Sequence, residues 1–155
     1  LSPQSLIAEA TANAGTDIAF PGNEEVTFER DVLYPLAGLD PKTAAAYAAV
    51  QEEIEKLSYA GNEAARRYLN GEIDRAAAAA WLETWELMPR DRAEQRTKFF
   101  DQYRSYVINY NLGRDLVRAY LDGKGGTADR PDMRWTEFGT LLASPRLPSG
   151  LSPRP

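Results

Sequence analysis

The sequence predicts an all-α fold, a multi-helix domain of about five to six helices, and three observations carry that prediction. Apolar residues recur at steps of three and four over most of the chain, no alternating apolar and polar run of useful length marks a strand, and helix-start signatures recur along it. At 155 residues, with 43% hydrophobic and 26% charged, the chain is long and apolar enough to build a core. We expect one helical domain over residues 1–143 and a disordered, proline-rich tail, "SPRLPSGLSPRP", over 144–155.

The elements follow in order. Ser2 before Pro3 pairs an N-cap hydroxyl with proline at the first helical position, so a first helix runs from about Pro3 to Phe20. Pro21, Gly22 and Asn23 break it, and Glu24 and Glu25 suit the positive end of a second helix reaching about Leu39. Pro35 kinks or splits that helix, because it has no N–H to donate. Asp40 and Pro41 repeat the start signature and open a long third helix with Gly61 as its weak point and Gly71 as its stop. Asp74 is a plausible N-cap for a short fourth helix that places Trp81, Leu82 and Trp85 on one face for packing and ends before Pro89. From Arg90 the pattern is helical for about eight turns, with a possible break near Asp101 to Tyr103. After a loop at 123–131, a last amphipathic turn or helix docks through Trp135, Phe138 and Leu142.

Composition narrows the chemistry. A net charge of −5 leaves no basic footprint for a phosphate backbone, so nucleic acid is not an expected partner. With no cysteine and no histidine, disulfides, thiolate chemistry, a histidine base and a histidine-ligated metal held by this chain alone are excluded. No stretch approaches the ~20 apolar residues of a membrane span and no basic-then-apolar leader precedes the first helix, so a cytoplasmic protein without a membrane partner is expected. The chain begins with Leu1, which raises the expectation of an upstream portion.

Two stretches can carry chemistry. On the first helix Glu9, Asn13 and Asp17 form a polar row beside the apolar row Leu6, Ala10, Ala14 and Ile18. The alanines at 8, 10, 12 and 14 let another helix approach and partly desolvate Glu9; the plainer reading is a surface carboxylate near a helix N-terminus. In "YRSYVINYNLGRDLVRAY", residues Tyr103, Tyr106, Tyr110 and Val117 fall at helical steps, with Gly113 on the same face. A glycine there costs about 1 kcal/mol relative to alanine, so something usually comes close to it. Arg114 follows Tyr110 by one turn, and the two together can hold an oxyanion or a substrate carboxylate; an aromatic core stripe with a solvated arginine is the alternative. "NEAARRYLNGEID", with Arg66 and Arg67, reads as a solvated face, and Asn62 takes no role.

The order of "SPQSLIAEATAN", "FERDVLYPLAGLDP", "GNEAARRYLNGEIDRAAAAAWLETWELMPRDRAEQRTKFFD" and "YRSYVINYNLGRDLVRAYL" resembles the C-terminal half of a group of bacterial helical proteins that look like gluzincin-type zinc metallopeptidases. The resemblance covers about residues 2–122. It implies two histidines and a catalytic glutamate on an earlier helix, and a third zinc ligand from a Ser-Glu-Gly-like motif. That ligand maps to Glu9 in "IAEATA", with Ala10 where the group tends to have glycine. A Tyr-x-x-Gly motif maps to Tyr110 and Gly113, which implies Tyr110 as the catalytic oxyanion donor and Arg114 and Tyr106 as substrate-binding residues.

Zinc is then expected only with histidine ligands from outside this chain, and the isolated chain is expected to be inactive. The expected partners are the upstream part of the same protein, a peptide substrate and, through an exposed apolar groove, a second copy. The competing expectation is a non-enzymatic helical interaction module.

Overall fold

Helix boundaries fall where individual side chains dictate them. In the computed structural model, which describes residues 4–144 and 146–151, every regular element of those residues is helical, so the fold is all-α. Helix α1 spans Gln4–Ala19 and stops before Pro21, with Gly22 at φ +64° turning the chain. The expected cap at Ser2 and Pro3 lies outside the described residues.

The expected second helix is split in the way its proline requires. It consists of α2, Glu24–Phe28, a π turn over Glu29–Leu33, and α3, Tyr34–Ala37. Pro35 cannot donate to the carbonyl of Asp31, and the backbone widens just before it so that the Tyr34 N–H reaches Glu29 O. Gly38 at φ +71° then closes α3, with its N–H on Pro35 O and that of Leu39 on Tyr34 O.

Asp40 caps a 3-10 turn at Pro41–Thr43, its carboxylate accepting from the Lys42 N–H at 3.0 Å, and helix α4 follows over Ala44–Leu69. Asp74 accepts from the Ala77 N–H at 2.8 Å and starts α5, Arg75–Trp85. Helix α6, Arg90–Tyr103, ends at Arg104, whose φ of +56° no helix tolerates. A 3-10 segment, Arg104–Asn109, leads into α7, Asn111–Gly123, and α8 spans Pro131–Ala143.

The break at Arg104 corrects one expectation. Tyr103 ends α6, Tyr106 lies in the 3-10 segment and Tyr110 precedes α7, so the tyrosines do not share one helical face. Gly113 and Val117 do share one, and both are buried.

The described chain divides into two compact units. One joins the chain's two ends, up to Ala45 and from Asn109; the other spans Ala46–Ile108. The core of the first holds Ala10, Ala14 and Ile18 of α1, Val117, Tyr120 and Leu121 of α7, Phe138 and Leu141 of α8, and Leu151. The expected α8 face is therefore only partly right. Phe138 points inward, but the inner partner is Leu141, while Trp135 and Leu142 are more than half exposed. Within the segment expected to be disordered, Arg146 donates to the Tyr120 hydroxyl at 2.8 Å and Leu151 is buried. Residues 145 and 152–155 of that segment lie outside the described residues.

The second unit packs α4, α5 and α6 through Ala64, Ala65, Ala79, Leu82, Ala93 and Phe100, with Val107 of the 3-10 segment. The alanines let helix backbones approach, and complete burial of Leu82 and Phe100 contributes about 1.5–3 kcal/mol each. Trp81 is half-buried and its Nε1 donates to Ala60 O at 3.1 Å, whereas Trp85, expected on the same packed face, is 56% exposed. Helix α4 also runs unbroken through Gly61, which is buried; the expected weak point is a contact point.

Candidate functional site

The site begins with two residues that have almost no side chain. A Cβ on Gly113 would lie 2.9 Å from the Ala10 Cβ, 3.5 Å from Leu6 O and 3.6 Å from the Ala10 Cα. Helices α1 and α7 thus touch backbone to backbone at this point, as the alanine-rich row of α1 and the glycine of α7 allow. A second contact fixes the direction. Arg118 donates through Nε to the Asp17 carboxylate at 2.8 Å. At 1.5 Å per residue, Asp17 lies roughly 10 Å beyond Ala10 and Arg118 roughly 8 Å beyond Gly113, so the ion pair requires the helices to run in the same general sense.

Within the first unit, Glu9, Tyr110 and Arg114 are sequence neighbours of this contact. Glu9 directly precedes Ala10 and is half-buried; Arg114 directly follows Gly113 and its side chain is 17% exposed. Tyr110 precedes Gly113 by three residues, has helical backbone angles (φ −77°, ψ −59°) and is half-buried. The polar row on α1, and Arg114 and Arg118 on α7 with Tyr110 at its N-cap, thus belong to one helix pair.

Burial, and next the neighbouring Arg118, pull the Arg114 guanidinium below its usual value, with Asp115 and Asp17 acting the other way. It remains a cation at any ordinary pH. Asn13 of the α1 row donates its side-chain amide to the Glu9 backbone carbonyl at 2.9 Å. Tyr106 belongs to the second unit, with its ring 6.0 Å from that of Tyr103, which in turn lies 4.6 Å from Phe99.

Sequence reading missed the Asp17–Arg118 pair, although both spacings were present: Asp17 lies two turns after Glu9, and Arg118 one turn after Arg114. It also missed a cluster in the second unit, where Asp101 accepts from the Tyr68 hydroxyl at 2.8 Å and pairs with Arg75. The Asp101 carboxylate holds the Tyr68 phenol above its usual value. Tyr68 and Asp101 line a cleft of about 450 Å³ with Glu72, Asp74 and Arg104. No local sequence pattern announces a contact between residues 33 apart.

The residues present do not fit a zinc ion on their own. The chain has neither histidine nor cysteine, and no three carboxylates among the described residues come together as a metal site. Nor is any helix of the described residues long and apolar enough to cross a membrane. Comparison with models of protein families, with curated proteins and with solved structures found no match.

Proposed function

We propose that this chain is the C-terminal helical part of a zinc-dependent metallopeptidase of the gluzincin type, contributing Glu9 as one zinc ligand and Tyr110 as a donor to the oxyanion. The observation that carries this reading is the backbone contact of Ala10 with Gly113, which puts Glu9, Tyr110 and Arg114 within one helical turn of the same point. A half-buried carboxylate is a suitable anionic ligand. A phenol one helix away can donate to developing negative charge, and a largely buried guanidinium can orient a substrate carboxylate. The remaining ligands and the general base belong, in this reading, to an upstream portion of the same protein, so the chain alone does not hydrolyse peptides.

The test starts from the reading frame upstream of Leu1, where a helix bearing a histidine-glutamate metal motif is expected. In the protein expressed from that whole frame, Glu9→Gln should lower bound zinc, whereas Tyr110→Phe should leave zinc in place and lower kcat by about 100- to 1000-fold. Retention of full zinc and turnover by Glu9→Gln would sink the proposal. So would sustained, chelator-sensitive turnover by the isolated chain.

One observation favours a second reading, a helical interaction module. Tyr47, Val50 and Ile54 follow one another at steps of three and four on α4, and all three are exposed. If that row is a binding face, Val50→Glu abolishes an association that light scattering detects at micromolar chain concentration; a monomer at all concentrations removes the self-association form of this reading.

A further inference from the structure

We propose that Glu86 is a protonation-dependent latch that fastens the connection between α5 and α6 onto α4 through the gap left by Gly61. Gly61 lies inside a 26-residue helix, where glycine is otherwise a poor choice. A Cβ built there would lie 2.6 Å from Glu86 Oε2 and 3.2 Å from both Cδ and Oε1. The carboxyl group therefore occupies the space that any other residue at 61 would fill.

The Glu86 Oε2 is buried and has no hydrogen-bond partner among the described residues. The charged group that faces it is Arg96 of α6, whose guanidinium lies 5.0 Å from the Phe99 ring; α4 presents Gly61, followed by the neutral Asn62. Burial is the larger influence and Arg96 the smaller opposing one, so the carboxyl is held above its usual range. The neutral acid suits this place, and the carboxylate does better in water.

The connection behind Glu86 carries a strained residue. Leu87 sits at φ +54°, a strained angle for a leucine, and the residue is 64% exposed. Beyond it, Met88 donates its N–H to Leu82 O at 3.2 Å and packs on the core of the second unit. Departure of the carboxyl removes the contact that presses this strained turn against α4. Because the folded value is raised, the latch is complete below the ordinary carboxyl range and is lost as pH rises through the raised value.

The experiment uses the whole chain. The Glu86 Cδ resonance is followed by NMR from acid to alkaline pH, alongside amide exchange at Met88 corrected for its intrinsic pH dependence. Glu86 should titrate above the usual carboxyl range, with protection at Met88 falling in the same window by up to about tenfold per pH unit of separation. The isosteric Glu86→Gln should keep full protection at every pH. Titration of Glu86 within the usual carboxyl range overturns the latch, as does pH-independent protection in the native chain. Protection that persists while the Arg96 Nε resonance moves with the carboxyl also overturns it, because the carboxylate has then stayed in place and paired.

Discussion

Replacing Gly113 with alanine tests whether α1 and α7 meet as closely as the structure has them. Two effects oppose one another. In an open helix the substitution would stabilise by about 1 kcal/mol, the usual difference in helix propensity. Here the new methyl would arrive 2.9 Å from the Ala10 Cβ, about an ångström inside normal carbon contact, and the Ala10 methyl cannot swing aside. Either the helices part or their backbones bend, at a cost of about 1–3 kcal/mol for overpacking. With the Leu6 carbonyl at 3.5 Å also narrowing the gap, we place the cost at the upper end and the net loss at about 1–2 kcal/mol. A midpoint lower by roughly 2–8 °C in thermal denaturation followed by circular dichroism is the expected signature. Ala10→Gly, harmful alone, should recover much of the loss when combined with Gly113→Ala, and that coupling isolates the contact. A Gly113→Ala chain as stable as the parent, or a double variant whose losses simply add, refutes the close approach and with it the geometric support for the proposed function.

Other outcomes follow from the ion pairs. Glu63 accepts from Arg66 at 2.8 Å and from Arg67 at 2.7 Å, which holds its carboxyl down at about 2. Since the folded value is depressed, its contribution is present above the usual value of 4.5 and disappears as pH falls from there toward about 2; Glu63→Gln should flatten the acid limb of a pH-stability curve in that window. Asp17→Asn should cost no more than about 1 kcal/mol in urea unfolding, with the difference shrinking at high salt, because both partners are about a third exposed. Asp101→Asn should let the Tyr68 phenol titrate nearer its ordinary value, as its Cζ resonance would report; an unmoved titration would mean that the Tyr68–Asp101 bond is not formed in solution.

The fold class and most boundaries were legible because local chemistry sets them. Asp40 and Asp74 cap, Pro35 denies a donor, and Gly38 and Gly71 take the left-handed angle at helix ends. The apolar row of α1 was legible for the same reason: four residues at one helical spacing can bury together, and Ala10, Ala14 and Ile18 do. What the pattern did not reveal depends on neighbours distant in sequence. Trp85 and Trp135 have the right type and spacing for a core, but their helices bury the face of Leu82 and of Phe138 and Leu141 instead. The stripe from Tyr103 to Tyr110 failed as a helical face because the break expected near Asp101 to Tyr103 does occur, at Arg104, whose positive φ nothing in the letters marks. Of the candidate site, Glu9 and Arg114 were legible as positions on helices, Tyr110 stands at the N-cap of α7 and not within a helical stripe, and the structure adds that α1 and α7 are neighbours.

Two of the helical glycines, Gly61 and Gly113, show what such a residue predicts and what it leaves open. Gly15 and Gly139 also lie inside helices with open space beside them, whereas Gly61 and Gly113 each have a neighbour inside contact distance, and those occupants differ in kind. At Gly113 the occupant is a methyl fixed to a helix backbone; at Gly61 it is the end of a flexible, ionisable side chain. The same substitution should therefore have opposite signs. In Gly61→Ala the Glu86 carboxyl can swing outward to water, so the clash is relieved by side-chain rotation and the helix-propensity gain of about 1 kcal/mol survives at neutral pH. It should be smaller in acid, where the parent chain keeps a comfortable neutral carboxyl in the gap and the variant gives that contact up. Urea unfolding of both variants at acid and neutral pH measures this directly. A pH-independent loss at Gly61 matching that at Gly113 would mean that Glu86 is as rigidly seated as Ala10.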